Sequence, residues 1–455
     1  MSQNNTKMYK KGIVNMKKSK YNFIYRLNDG TNIAFNCMTS ALAEVDDNFI
    51  EILENIGDID HSALDKEKKE LIDNMLAGNY ILPDDYDELK FLKFRSYSAK
   101  FADDLLKLTI APTMSCNFDC PYCYETPKNG IMSVGVQQCI LDLVKKYAEL
   151  KKNISITWYG GEPLLAKNVI FKLSEEIIKI CEQNHVMYDS FIITNGYLIN
   201  KEVADKFKNY KIRGAQITVD GPPHIHNARR KLKTSEADTF DVILNNIEIL
   251  KTNGIGVQLR VNIDKTNFDY IDELLDILEE KNLKEIMINL GHVNSLTDGS
   301  CASFAQNCFK RIEYADANME FKTKLYKRGF LNSLAAYYPG TKSNFCGADS
   351  KASFVIDPEG NLYKCWTEIG NIDKSVGNIL DSENATIKQQ NRAIDYMLWS
   401  PFTVERCIQC EVLPICMGGC PYCGVEDELK PSCEIWKYSL EHAVKLMCLQ
   451  KTGKN

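Results

Sequence analysis

Long apolar runs are missing from this chain: none of its 455 residues sits in a stretch resembling a membrane helix, which needs ~20 apolar positions in a row. The opening residues Met1-Ser2-Gln3-Asn4-Asn5 are polar and hold no signal-peptide core. A cytoplasmic protein with no membrane contact is expected. A dominant charge is missing as well. Lys and Arg number 55 against 61 Asp and Glu, leaving a net charge of −6, so nucleic acid is not an expected partner. The basic run Lys7, Lys10, Lys11, Lys17, Lys18 and Lys20 reads as a solvated, disordered tail over residues 1–20. With 44% hydrophobic and 25% charged residues the composition is globular, and the length allows about two to four domains.

Cysteine, by contrast, is plentiful, at 17 residues. Reducing compartments disfavour disulfides, so dense thiols there bind metal or perform chemistry. The alternative, cysteines as staples, belongs to short secreted chains.

Residues 21–95 read as a separate module. Strand-like Tyr21–Arg26 and Asn32–Cys37 flank the turn signal Asn28-Asp29-Gly30. Helices are expected over about Asp46–Ile56 and Asp65–Ala77, the second capped by Asp65, before an apolar stretch Tyr80–Leu82 closed by Pro83. From Leu106 to Leu290 strand and helix alternate. Strands are expected at Leu106–Ala111, Ile154–Trp158, Phe191–Thr194, Ala215–Val219, Gly256–Ile263 and Glu285–Leu290. Helices fall between them at Val136–Leu150, Val169–Glu182, Phe240–Lys251 and Ile271–Glu280. This order argues for an α/β fold with a parallel sheet and crossover helices, whose ligands sit on the loops after the strands. Residues 296–340 form a connector without a clear signature. A loop-rich, cysteine-rich segment covers 341–435, and an amphipathic helix, Trp436–Leu449, lies in the final stretch 436–455.

After the first strand comes Cys116-Asn117-Phe118-Asp119-Cys120-Pro121-Tyr122-Cys123, with three thiolates and no fourth. An iron–sulfur cube takes four ligands, so a cube held by these three keeps one iron for a group that is not protein. A zinc site is the competing reading and would require a fourth ligand from elsewhere. After the second strand stands Trp158-Tyr159-Gly160-Gly161-Glu162-Pro163, where two glycines let the backbone approach a ligand and a carboxylate can receive an ammonium. After the third comes Thr194-Asn195-Gly196. After the fourth comes Gln216-Ile217-Thr218-Val219-Asp220-Gly221-Pro222, followed by His224, His226, Arg229 and Arg230; the fifth carries Arg260, Val261 and Asn262. Together, in this order, these elements resemble the radical S-adenosylmethionine (SAM) enzymes.

That resemblance implies a partial (β/α)6 TIM-type barrel over residues 105–295. It implies a [4Fe–4S] cluster on Cys116, Cys120 and Cys123, with SAM filling the open iron. Tyr122 would lie near the adenine, and Gly160, Gly161 and Glu162 would bind the methionyl amino group. Asn195 would reach the SAM side, Thr218 would contact ribose or carboxylate, and Arg229 or Arg230, not separable in the sequence, would pair with the carboxylate. His224 and His226 read as loop residues rather than a metal pair. Asp220 reads equally as a turn residue or as a catalytic carboxylate.

The C-terminal segment adds Cys346, then Cys365 behind the hairpin signal Asp357-Pro358-Glu359-Gly360. Cys407, Cys410, Cys416, Cys420 and Cys433 follow. The spacing closely resembles the SPASM domain of radical SAM enzymes that modify peptides and proteins. By that likeness Cys407, Cys410, Cys416 and Cys433 hold auxiliary cluster II, and Cys346, Cys365 and Cys420 hold auxiliary cluster I, three [4Fe–4S] clusters in all. Seven cysteines stay outside this scheme. Cys139, Cys181 and Cys448 read as small core residues; Cys37, Cys301, Cys308 and Cys423 are the others. The fourth position of cluster I is open to Cys423, to another residue or to a substrate thiolate.

The 21–95 module is similar to the winged-helix element that recognises leader peptides, a structural cap being the alternative. The whole resembles the peptide maturases that form thioethers, relatives of the anaerobic sulfatase maturases. Expected partners are therefore a precursor peptide with a leader and a flavodoxin- or ferredoxin-type electron donor. Carbon–carbon crosslinking, formylglycine formation on a sulfatase and a zinc-binding scaffold are the alternatives.

Overall fold

The computed structural model describes residues 15–59, 65–294, 300–330, 338–426 and 431–452. They form two compact units. One takes its residues from Met1–Lys100, Tyr337–Phe345 and Ser400–Asn455, the other from Phe101–Ala336 and Cys346–Trp399. The segment 341–435, read from the sequence as one domain, is thus divided between the two.

In the first unit, β1 (Met16–Lys18) pairs antiparallel with β5 (Ile81–Pro83). Residues 15–20 are therefore not tail, which corrects the reading of 1–20: Met16 is buried, and the two lysines beside it occupy strand positions. Residues 1–14 lie outside the described residues. Strands β2 (Asn22–Arg26), β3 (Asn32–Asn36) and β4 (Ala41–Val45) form an antiparallel sheet, the third strand having no clear signature in the sequence. The helices Asp47–Asn55 and Lys66–Ala77 begin where Asp46 and Asp65 accept the backbone N–H of Phe49 and Lys68, at 2.9 and 2.8 Å. Such caps satisfy amides that a helix start leaves without partners. Phe49, Ile52, Leu53, Ile72, Met75 and Leu76 pack with Met16, Ala34, Tyr80 and Ile81 as the module's core.

The second unit is built on a parallel sheet. Strands β6 (Leu105–Ile110), β7 (Asn153–Trp158), β8 (Tyr188–Thr194), β9 (Ile212–Thr218), β10 (Gly256–Ile263) and β11 (Met287–His292) lie side by side in chain order, a partial TIM-type barrel. Burial alternates along them. Ile154, Ile156 and Trp158 are buried while Asn153, Ser155 and Thr157 are half-buried, as expected when successive side chains point to opposite faces. Helices run between the strands, including Val134–Glu149, Lys167–Asn184, Phe240–Thr252 and Ile271–Glu280. Lys201–Asn209, capped by Asn200, was not anticipated, and the stretch read as a connector contains the helix Arg311–Arg328.

The C-terminal segment joins this sheet. β12 (Ser353–Ile356) runs parallel to β6, and β13 (Asn361–Tyr363) and β14 (Gly377–Asn378) continue antiparallel. The expected hairpin forms, with Gly360 at φ +85°, a left-handed angle that glycine adopts without strain. Its attachment to β6 carries no local sequence signal.

Candidate active site

From β6 the chain enters the three-cysteine loop, which is pinned from outside. Asp119 N–H donates to Lys231 O and Lys233 N–H to Asn117 O, both at 2.9 Å, and Phe118 bridges Leu232. Within the loop, Cys123 N–H donates to Cys120 O at 3.1 Å, and Phe118 N–H donates to Cys116 Sγ at 3.4 Å. Cys116, Cys120 and Cys123 all line one cleft of about 340 Å³. Burial pushes the thiols of Cys116 and Cys123 up to about 12 and raises that of Cys120, because an isolated thiolate is poorly solvated there.

The Gly-Gly-Glu turn acts on this loop. A Cβ on Gly161 would stand 2.5 Å from Ser115 O and 2.6 Å from Met114 O; on Gly160, at φ +110°, it would stand 2.3 Å from Thr113 O. The glycines therefore admit the backbone that leads into the cysteines. Glu162 lies beneath the cleft, fully buried. It accepts hydrogen bonds from Leu164 N–H (3.0 Å), Thr194 Oγ1 (2.8 Å) and Asn195 N–H (2.8 Å). Burial raises its pKa against those donors. Its place is that of a clasp between the loops after β7 and β8. Asn195 faces the cleft, and its Nδ2 donates to Asn117 Oδ1 at 2.7 Å.

The two adjacent arginines separate cleanly. Arg229 is tied to buried carboxylates, Asp264 at 2.7 Å and Asp220 at 3.5 Å, and stacks its guanidinium 4.9 Å from the Tyr122 ring. Arg230 lines the cleft; its Nη1 donates to the Tyr122 hydroxyl at 2.6 Å, and its buried Nε has no partner. Arg230 is thus the one presented to a ligand. Asp220 is fully buried and receives the Tyr122 hydroxyl, Asn262 N–H (3.2 Å) and Arg229 Nε. That is a scaffold position, not one on the cleft wall. His224 is exposed beside Glu273, whereas buried His226 bonds Asp220 N–H (3.4 Å) and Thr239 Oγ1 (3.1 Å); the two do not converge.

The strand residues of the cleft include Ile193, Gln216, Thr218, Arg260, Asn262 and His292. Gln216 and Thr218, like Arg260 and Asn262, are two apart and so share a face. Gly291 makes room for Arg260 and Asn262, since a Cβ there would lie 2.5 Å from Arg260 Nε and 2.3 Å from Asn262 Oδ1. Sequence reasoning missed His292, Tyr124, Glu125, Trp366 and Thr367. His292 stacks on Tyr314 and meets Phe309 O through Nε2 at 2.8 Å, and burial lowers its pKa. Tyr124 and Tyr159 touch through their hydroxyls. The carboxyl of Glu125 is pushed up to about 7 by burial. Trp366 stacks on Tyr159, centroids 5.7 Å apart. Tyr124, Glu125, Trp366 and Thr367 carry no signal beyond their nearness to Cys123 and Cys365, and His292 carries none.

The model of the radical SAM superfamily matches residues 110–294, the strand–helix barrel just described. This domain belongs to the radical SAM superfamily. A cysteine-type anaerobic sulfatase-maturating enzyme of Clostridium perfringens is 26% identical over 364 residues, 74% of this chain and 96% of that protein. The radical SAM cyclopropyl synthase TigE of Paramaledivibacter caminithermalis is 21% identical over 468 residues, covering 94% of this chain and 95% of its own length. A solved structure, native anSMEcpe with bound AdoMet and Cp18Cys peptide, superposes with a TM-score of 0.57 at 21% identity, covering 77% of this chain and 100% of that one. The likeness establishes the fold. The chain is an enzyme of this radical SAM class, and the family implies SAM and a [4Fe–4S] cluster.

The radical SAM residues fit those groups: three thiols on one cleft wall, an inward guanidinium with an orphaned N–H, and the hydroxyl of Thr218. Among the described residues no three His, Cys, Asp or Glu side chains converge tightly enough for a single metal ion; a cube, with iron at separate corners, holds its thiolates farther apart. A second thiol group lies in the other unit. The Cys407 thiol is raised to about 12 by burial and then by Cys416, Cys433 and Cys410 around it. Met417, Gly418 and Gly419 all take left-handed φ, of +50°, +81° and +76°. They turn the chain so that Gly419 bridges Ser432, beside Cys433, and a Cβ on Gly419 would fall 1.5 Å from Ser432 O. Lys437 Nζ reaches Cys410 Sγ at 3.6 Å.

In the barrel unit, Cys346 and Cys365 begin short turns in which Asp349 and Glu368 accept their N–H groups at 3.2 and 3.3 Å. Glu368 is held in turn by Arg392 and Tyr396. Cys420 and Cys423 belong to the other unit. Of the remaining cysteines, Cys37, Cys181 and Cys448 are buried, whereas Cys139 is half-buried and so not a full core residue. Cys301 lies where no side chain is described.

Proposed function

We propose that this radical SAM enzyme oxidatively modifies a ribosomally made precursor peptide, forming a cysteine thioether crosslink. In this reading three [4Fe–4S] clusters serve it, one auxiliary cluster on Cys407, Cys410, Cys416 and Cys433 and the other drawing on Cys346 and Cys365. Cys116, Cys120 and Cys123 would hold the SAM-side cluster, which would supply the one-electron reductive cleavage of SAM that makes hydrogen removal from an unactivated carbon possible. The observation that carries the proposal is the second thiol group, Cys416, Cys433 and Cys410 around Cys407, with Gly419 packed against Ser432 beside Cys433. A one-electron acceptor there suits a reaction in which a substrate radical must be oxidised. The N-terminal module, covered in the alignment with TigE, suits a leader peptide. An electron donor of flavodoxin or ferredoxin type completes the cycle.

Within the domain, Arg230 and Thr218 orient SAM, Asn195 closes its side of the cleft, and Tyr122, held by Asp220, packs near the adenine. Sulfatase maturation is a second reading, favoured by the alignment with 96% of the Clostridium perfringens enzyme. Anaerobically reconstituted protein, given SAM, a chemical reductant and each short cysteine-bearing peptide that a search of the neighbouring reading frames returns, should yield a peptide two hydrogens lighter. Formylglycine on a sulfatase peptide, with the precursor unchanged, would reverse the order of the two readings. Cys410→Ala should lower iron from about twelve atoms per chain toward eight; unchanged iron would contradict the auxiliary site.

A further inference from the structure

We propose that Glu125, with the Tyr159–Trp366 pair, is a substrate subsite that receives a backbone N–H of the peptide. The proposal rests on the peptide-modifying function above and names where the peptide is held. Glu125 lines the cleft together with Tyr124, Tyr159, Trp366 and Thr367. Tyr159 hydrogen-bonds the Glu125 carboxyl. Its Oε2 is buried and has no hydrogen-bond partner. A buried carboxylate oxygen without a donor is costly, by an amount that a single N–H contact removes. Among the described residues no donor supplies it, which points to a ligand as the source.

The surroundings favour peptide over SAM. The Trp366 ring lies nearly parallel to Tyr159, at 29°, yet remains 44% exposed. A large aromatic left half in solvent beside a polar acceptor is a platform for a flat amide. The platform also joins two parts of the chain: Glu125 stands two residues after Cys123, and Trp366 directly after Cys365. A peptide on it would lie between the radical source and the Cys346–Cys365 turns. Beneath, Ala111, Met114, Tyr159, Val355, Tyr363 and Ile369 form one buried cluster, which fixes the two parts together.

The test is a double-mutant cycle between enzyme and substrate, using a synthetic cysteine-bearing precursor peptide and its single N-methyl analogues. Glu125→Leu should raise the KM for peptide roughly tenfold or more while leaving the KM for SAM in place. One N-methyl analogue should lose a similar factor with the wild-type enzyme and nothing further with Glu125→Leu, the non-additivity of a shared contact. Should Glu125→Leu not retain its iron, the same cycle is read on Glu125→Gln. Additive losses at every amide, or a rise in the KM for SAM instead, would overturn the subsite. Failure of the wild-type enzyme to alter the precursor at all would overturn the function above, and the subsite with it.

Discussion

Replacing Gly161 with alanine tests how the cysteine loop is held. The added Cβ would stand 2.5 Å from Ser115 O and 2.6 Å from Met114 O. Carbon and oxygen rest at about 3.3 Å or more, so the loop would have to retreat by roughly 0.8 Å. Ser115 O also accepts the Glu162 N–H at 2.8 Å, and Cys116 is the next residue, so the retreat strains that bond and displaces a cluster ligand. Overpacking of this size costs about 1–3 kcal/mol, and a loss of about 2 kcal/mol lowers Tm by roughly 3 °C in a unit of this size. Gly135→Ala is the comparison: its Cβ would meet only ordinary contacts, the nearest at 3.6 Å, in the first turn of a helix. There the change should be neutral or stabilise by about 0.5–1 kcal/mol. Calorimetry and iron analysis on both variants decide the matter. Wild-type Tm and full iron in Gly161→Ala would refute the packing argument.

Asp220→Asn should destabilise the barrel by about 3 kcal/mol, since it removes a buried charge from Arg229; urea unfolding measures it, and an unchanged urea midpoint would show Asp220 not to be scaffold. His226 has its pKa held well below the ordinary histidine value by burial and then by Arg230 and Arg229. A depressed histidine binds fewer protons folded than unfolded, so stability should fall as pH drops below about 6.5. His226→Gln should flatten that fall, and an identical slope would exclude His226 as its source. Gly419→Ala should abolish the four-thiol site, because a Cβ 1.5 Å from Ser432 O cannot be accommodated; iron per chain and the EPR of the reduced protein report it, and a full signal would sink the proposed geometry.

The barrel was legible because strand alternation and turn residues are local signals. Gly256–Ile263 and Ile271–Glu280 have the boundaries read from the sequence. The helix Arg311–Arg328 was not legible: it buries Asn318 and Lys322 beside Met319 and Leu325, so no apolar stripe marks it. In the site, the cysteines and glycines announce themselves by spacing; Gly160 and Gly161 line the cleft, and they also admit the backbone that leads into the cysteines, a contact with no local signal. Arg229 and Arg230 could be distinguished only by what surrounds them, two carboxylates for one and a cleft for the other. Trp366 and His292 were hidden because long-range pairing alone brings their elements to the cleft.

The parallel pairing of Lys107 with Ser353 sets an order of events during synthesis. More than half the chain's length separates the two partners. At about 5–20 residues per second, a ribosome leaves the β6 edge bare for on the order of 10–50 s. Throughout that interval the loop of Cys116, Cys120 and Cys123 follows a strand with one edge unpaired. A nascent chain halted before residue 353 would carry the radical-generating loop but lack the strand beside it. Such chains should be the ones that associate through that edge.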